Sequence, residues 1–130
     1  QQVLPVLKKQ EKASILMFST VAVQKGLPYH TSISAAKGAV EGFARSLASE
    51  LAPKIRVNVI APSLTDTPLA AKLLANDQRR NSGAERHPLK RIGQPQDIAT
   101  LASFLLTEKS DWITGQVFAV DGGLSSISTG

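Results

Sequence analysis

The sequence contains no cysteine, which excludes a disulfide framework and a thiolate site and fits a cytoplasmic setting. Its two histidines, His30 and His87, stand far apart, so no metal cluster is expected. Aromatic residues make up only 5%. The basic residues Lys8, Lys9, Lys12, Arg79, Arg80, Arg86, Lys90 and Arg91 fall between apolar segments with no aromatics interleaved, so a nucleic-acid surface is not expected. No apolar run approaches the roughly 20 residues needed to cross a bilayer, and no membrane association is expected. Short repeats and glycine- or proline-rich tracts are also lacking, which argues against solenoids and low-complexity chains.

What is present suits one globular domain. The 130 residues are 42% hydrophobic and 19% charged, a balance that excludes disorder. The net charge of +5 is modest and would suit a phosphate-bearing ligand.

The opening "QQVLPVLKKQEK" reads as the last turns of a helix. "SILMFS" (14–19) is almost wholly apolar, as in a strand buried on both faces of a parallel sheet. After a loop marked by Gly26 and Pro28, a helix is expected from Ser32 to Leu51, its apolar stripe formed by Ala36, Val40, Phe43, Leu47 and Leu51. Its small residues, Gly38 and Gly42 among them, cost helix propensity and suggest close approach by another backbone or a ligand. "IRVNVIAP" (55–62) is a second strand. "TPLAAKLLANDQRRNSGAERHP" is expected to be helical at first, through Leu69, Leu73 and Leu74, then polar and mobile.

"GQPQDIATLASFLL" carries helix-start chemistry in Pro95 and Asp97, with Ile98, Leu101, Ala102 and Leu105 as the buried stripe. "ITGQVFAVDGG" is a turn, a third strand at 116–120 and a glycine stop. Alternating strands and helices imply a parallel sheet with right-handed crossovers. Three strands form a poor domain alone, and nothing obvious pairs with the outer edge of the first. The chain therefore reads as part of a larger α/β domain.

Several stretches together resemble one family. "AAKGAVEGFARSLASELAP", "APSLTDTPL", "RIGQPQDIATLASFLL" and "WITGQVFAVDGG", in this order, are similar to the carboxyl-terminal half of the short-chain dehydrogenases/reductases. The resemblance covers essentially the whole chain. It implies a Rossmann-like, doubly wound parallel sheet, of which residues 1–130 would supply about three strands and flanking helices. The family's glycine-rich pyrophosphate turn and its catalytic asparagine have no counterpart in the sequence. With Gln1 rather than Met opening the chain, the amino-terminal half of the domain is expected to be missing or supplied by another chain.

The resemblance also implies a chemistry: NAD(P)-dependent interconversion of a carbonyl and a hydroxyl on a small-molecule substrate. In the family a tyrosine donates a proton, a lysine four residues on assists it and contacts the nicotinamide ribose, and a serine holds the substrate oxygen. Carried over, the lysine is Lys37, the serine position is Thr20, and the tyrosine position is Ile33, which has no proton to give. Tyr29 and His30 are the possible substitutes, one a phenol and the other an imidazole able to exchange a proton near neutrality.

Pro62, Ser63, Leu64 and Thr65 match the family's turn over the nicotinamide, with Ser63 in place of the usual glycine, and Thr67 matches a cofactor-contacting threonine that can also cap the helix begun by Pro68. Residues 69–95 correspond to the substrate lid. The helix at 35–51 resembles the family's pairing surface, which implies a homodimer or homotetramer. The departure at Ile33 leaves an alternative: an inactive family member serving as a cofactor-binding, regulatory or interaction protein. NAD and NADP are not distinguished, and no metal is implied.

Overall fold

Strand β1 (Ala13–Phe18) runs parallel to β2 (Ile55–Pro62), which runs parallel to β3 (Val117–Val120), in the order β1-β2-β3. The computed structural model describes residues 2–129; Gln1 and Gly130 lie outside the described residues. Register pairs Ala13 with Ile55 and Val59 with Val117. The sheet is central and parallel, as the apolar runs predict.

β2 is the middle strand, so both its faces are covered, and Ile55, Val57, Val59 and Ile60 are all at most 2% exposed. β1 differs from expectation. Its residues are half-buried, and Phe18 is 46% exposed, because no strand among the described residues pairs with its outer edge.

Helix α3 (Thr31–Leu51) covers one face of the sheet. Ala44, Leu47, Ala48 and Leu51 pack with Ile55, Val57 and Val59, while Ile15 and Met17 border the cluster. The expected stripe is thereby corrected. Phe43 is 58% exposed and Ala36 lies on the surface, since the face seated on the sheet is centred on Ala44 and Ala48. The two interior glycines are not sites of close approach within the chain: a Cβ on Gly42 would meet nothing within 4 Å, and one on Gly38 would make ordinary contact with Val23 at 3.7 Å.

Helix α5 (Pro95–Leu106) lies against the opposite face. Leu105 is fully buried, and its carbonyl accepts from Ser14 Oγ at 2.8 Å and from Arg56 at 3.1 Å, both side chains alternating away from α3. With consecutive strands adjacent and the two helices on opposite faces, the two crossovers have opposite hands. The expectation that both are right-handed therefore fails for one of the two connections.

A short helix α1 (Leu4–Lys8) opens the described chain, and α2 (Ala22–Lys25) follows β1. The segment after β2 reverses expectation. Residues Pro68–Ala70 form one 3₁₀ turn, and the longer helix, α4 (Asp77–Glu85), lies in the polar part. Asn76 explains this, since its side chain accepts from Arg79 N at 2.9 Å and caps α4. Leu74 is buried there, whereas Leu69 and Leu73 are exposed. Among the described residues no helix is long and apolar enough to cross a membrane.

Candidate active site

Parallel strands deliver their carboxyl ends, and the loops that follow them, to one edge of the sheet. At the end of β1, Ser19 N donates to Ile60 O at 2.8 Å and Val21 N donates to Pro62 O at 3.2 Å, which holds the loops after β1 and β2 side by side. Ser19 and Thr20 thus sit beside the turn that starts at Pro62.

α3 reaches this edge with one row of polar side chains. Ser34 Oγ donates to Ala22 O at 3.1 Å, Lys37 Nζ donates to Phe18 O at 3.0 Å, and Ser19 Oγ donates to Glu41 Oε1 at 2.5 Å. The spacing i, i+3, i+7 puts all three helix residues on one face. Lys37 is therefore half-buried at the carboxyl end of β1 with one ammonium proton engaged, and two remain for other acceptors. Ser19, Ser34 and Glu41 were not singled out from the sequence; their helical spacing from Lys37 was the available signal. Thr20 Oγ1 accepts from Ala22 N at 3.3 Å at the start of α2.

Ile33 lies one turn before Lys37 on α3 and is 42% exposed. The two possible substitutes do not join the cluster. Tyr29 is fully exposed and adopts the left-handed region at φ 63°, while His30 is exposed with Nδ1 donating to Pro28 O at 2.7 Å. Neither hydrogen-bonds Thr20 or Lys37.

A second cluster follows β2. Ser63 N donates to Val120 O at 3.2 Å and Thr65 Oγ1 donates to Ser63 O at 3.0 Å. Gly93 N donates to Leu64 O at 3.0 Å and Gly93 O accepts from Asp66 N at 2.9 Å, so the turn 62–66 is stitched to the segment just before α5. Thr67 Oγ1 accepts from Ala70 N at 3.4 Å, the capping role expected of it.

Beneath this turn lies a cavity of about 360 Å³, lined by Ser63, Leu64, His87, Arg91, Asp97 and Asp121 among others. Thr20, Ile33 and Lys37 do not line it. His87, which sequence reasoning left as one lid residue among several, is 3% exposed, with Nε2 2.8 Å from Ser63 Oγ and Nδ1 2.7 Å from Gly83 O.

Three carboxylates set the electrostatics around the turn. The Arg91 guanidinium grips Asp97 at 2.6 and 2.9 Å and, with the Gln94 N–H, lowers its pKa to about 2. Arg80 on α4 pairs with Asp66 at 2.8 Å and lowers its pKa. Burial alone would raise the Asp121 pKa. Hydrogen bonds from the Ser125 hydroxyl and N–H and from Gly123 N–H, with His87 nearby, hold it below the usual carboxylate range.

The family described as enoyl-(acyl carrier protein) reductase matches residues 1–125. The chain belongs to the short-chain dehydrogenase/reductase family. This member is 39% identical to the 3-oxoacyl-[acyl-carrier-protein] reductase FabG of Thermotoga maritima over 125 residues, covering 95% of the chain and 50% of the relative. It is 40% identical over 124 residues to the inactive 2-(S)-hydroxypropyl-CoM dehydrogenase 2 of Xanthobacter autotrophicus, covering 92% of the chain and 54% of the relative. Among solved structures it resembles a gluconate 5-dehydrogenase from Burkholderia cenocepacia in complex with NADP and tartrate, with a TM-score of 0.89 at 28% identity, over 97% of the chain and 50% of that structure. The short-chain dehydrogenase/reductase described by residues 2–129 thus spans about half the length of the curated relatives it matches.

Proposed function

We propose that residues 1–130 form the carboxyl-terminal part of a single Rossmann-type domain in an NAD(P)-dependent oxidoreductase that acts on a carbonyl or hydroxyl group of a small molecule. The observation that carries this reading is Lys37, held by the Phe18 carbonyl at the carboxyl end of β1 beside Thr20, with two ammonium protons uncommitted. That is the chemistry a ribose diol needs. The residues present fit the nicotinamide end of the cofactor: Lys37 would serve the ribose, and Pro62, Ser63, Leu64, Thr65 and Thr67, as the turn and cap after β2, would hold the ring. When bound, the nicotinamide supplies or takes a hydride.

Thr20 carries the hydroxyl that can hold a substrate oxygen, and the segment ending at Gly93 would serve as the lid over it. Ile33 cannot donate a proton. Because positioned acid–base assistance contributes roughly 10²–10⁴ in rate, turnover is expected to be slow while cofactor binding persists. The positions of Tyr29 and His30, exposed and unconnected to Lys37, favour a second reading: a member that keeps the cofactor and performs little redox turnover. NADH and NADPH binding, followed by turnover against a panel of ketones and alcohols, tests both. Binding with turnover supports the first reading, and binding without turnover the second. No binding refutes both.

A further inference from the structure

We infer that Ser19 is a positioning residue that holds the Glu41 carboxylate off Lys37, so that the lysine ammonium stays open to a ligand. This rests on the cofactor reading above and adds the residue that keeps its lysine available. Lys37 and Glu41 stand four residues apart on one face of α3 with opposite charges, the arrangement in which such side chains ordinarily pair. Glu41 also leans toward Lys37, because helical side chains point back toward the helix start. Yet among the described residues the ion pairs are Asp66–Arg80, Glu85–Lys90 and Asp97–Arg91, and Lys37 and Glu41 form none. Each has instead taken a partner at the carboxyl end of β1, on adjacent residues. The ammonium donates to Phe18 O at 3.0 Å, and the carboxylate accepts from Ser19 Oγ at 2.5 Å.

Ser19 is fixed for this task. It is 5% exposed, and its N–H is committed to Ile60 O on the central strand at 2.8 Å. Glu41 sits where the polar row of α3 gives way to the apolar seam of Ala44 and Ala48. A half-buried carboxylate at that boundary costs desolvation, and the Ser19 hydroxyl is the group that offsets it. Without that hydroxyl, the carboxylate has two opposite charges within one turn of the helix. Arg45 is exposed, so water screens its pull, whereas Lys37 is half-buried at the same end of β1. An ammonium that serves both Phe18 O and Glu41 keeps one proton for a ligand in place of two.

The test is calorimetric titration of NADH and NADPH into the full-length gene product and its variants near neutral pH, where glutamate is ordinarily ionised. Ser19→Ala is expected to weaken dinucleotide binding about two- to fivefold, the pull of a helical ion pair strengthened by partial burial. Glu41→Gln alone, whose amide oxygen still accepts from Ser19 and which carries no charge, should bind as the wild type does. Ser19→Ala combined with Glu41→Gln should regain the wild-type affinity, because a neutral side chain does not hold the ammonium. If Ser19→Ala does not fold, Ser19→Cys, whose thiol is a weak donor, carries the same test. An affinity unchanged at Ser19→Ala, a loss at Glu41→Gln alone, or a loss at Ser19→Ala that Glu41→Gln does not rescue overturns this inference and leaves the cofactor reading standing. The last of these would mark Ser19 as merely structural. Failure of the wild type to bind either dinucleotide overturns both.

Discussion

Ile33→Tyr asks whether the site lacks anything except its acid. Ile33 and Lys37 are four residues apart on α3, which places their Cβ atoms about 5–6 Å from each other on one face. Ile33 is 42% exposed, so a phenol adds bulk at a surface position rather than inside a packed core. Isoleucine and tyrosine differ little in helix propensity, so α3 should tolerate the change. Lys37 is already anchored to Phe18 O at 3.0 Å, one turn from the new phenol. Restoring a positioned acid is worth about 10²–10⁴ in rate, or about 2.7–5.4 kcal/mol of barrier. The assay is NAD(P)H-linked turnover of a carbonyl panel, alongside cofactor affinity for each variant. Ile33→Tyr should raise kcat by that factor with cofactor affinity unchanged, and adding Lys37→Met should remove the gain. A variant that binds cofactor as before and turns over no faster than the wild type would refute the reasoning, because some other part of the site would then be incompetent.

Three further outcomes follow from the same structure. Tyr29→Phe and His30→Ala should leave wild-type turnover unchanged; a loss at either would show that it serves as the displaced acid. Leu105→Ala should cost about 3–5 kcal/mol in urea unfolding, at the upper end for such truncations, because Ser14, Arg56 and Ser110 pin its backbone carbonyl and prevent collapse into the cavity; a loss under about 1 kcal/mol would contradict the packing. The folded-state pKa of Asp97, about 2, lies below its unfolded value. Its stabilising effect is therefore complete above the unfolded pKa of about 4 and is lost as pH falls toward 2. Asp97→Asn should flatten the stability-against-pH curve in that window, and an unchanged curve would sink the assignment.

Much of the fold was legible because burial writes a period into the chain. The three strands and α5 lie within a residue or two of the runs that announce them, and Pro95 and Asp97 mark the start of α5. The errors arose where tertiary context decides. Phe43 fits a helical stripe by spacing, yet the face on the sheet is set by Ala44 and Ala48, small residues that periodicity of bulk does not register. The leucines of 69–74 suggested a helix there, but the Asn76 cap placed it later, in polar sequence.

The site was legible only in part. Lys37 and Thr20 converge at the end of β1, yet the bonds of Ser34, Lys37 and Glu41 to the β1–α2 segment depend on helix rotation, which the letters leave open. The burial of His87 and its pairing with Ser63, a residue distant in sequence, carry no local signature at all.

The most direct test of the central claim is calorimetric titration of NADH and NADPH into the full-length gene product and its Lys37→Met variant. Stoichiometric binding of one dinucleotide, weakened about tenfold or more when the ammonium is removed, is the result expected of a lysine that serves the ribose. Binding that is indifferent to Lys37, or no binding of either dinucleotide, would contradict it.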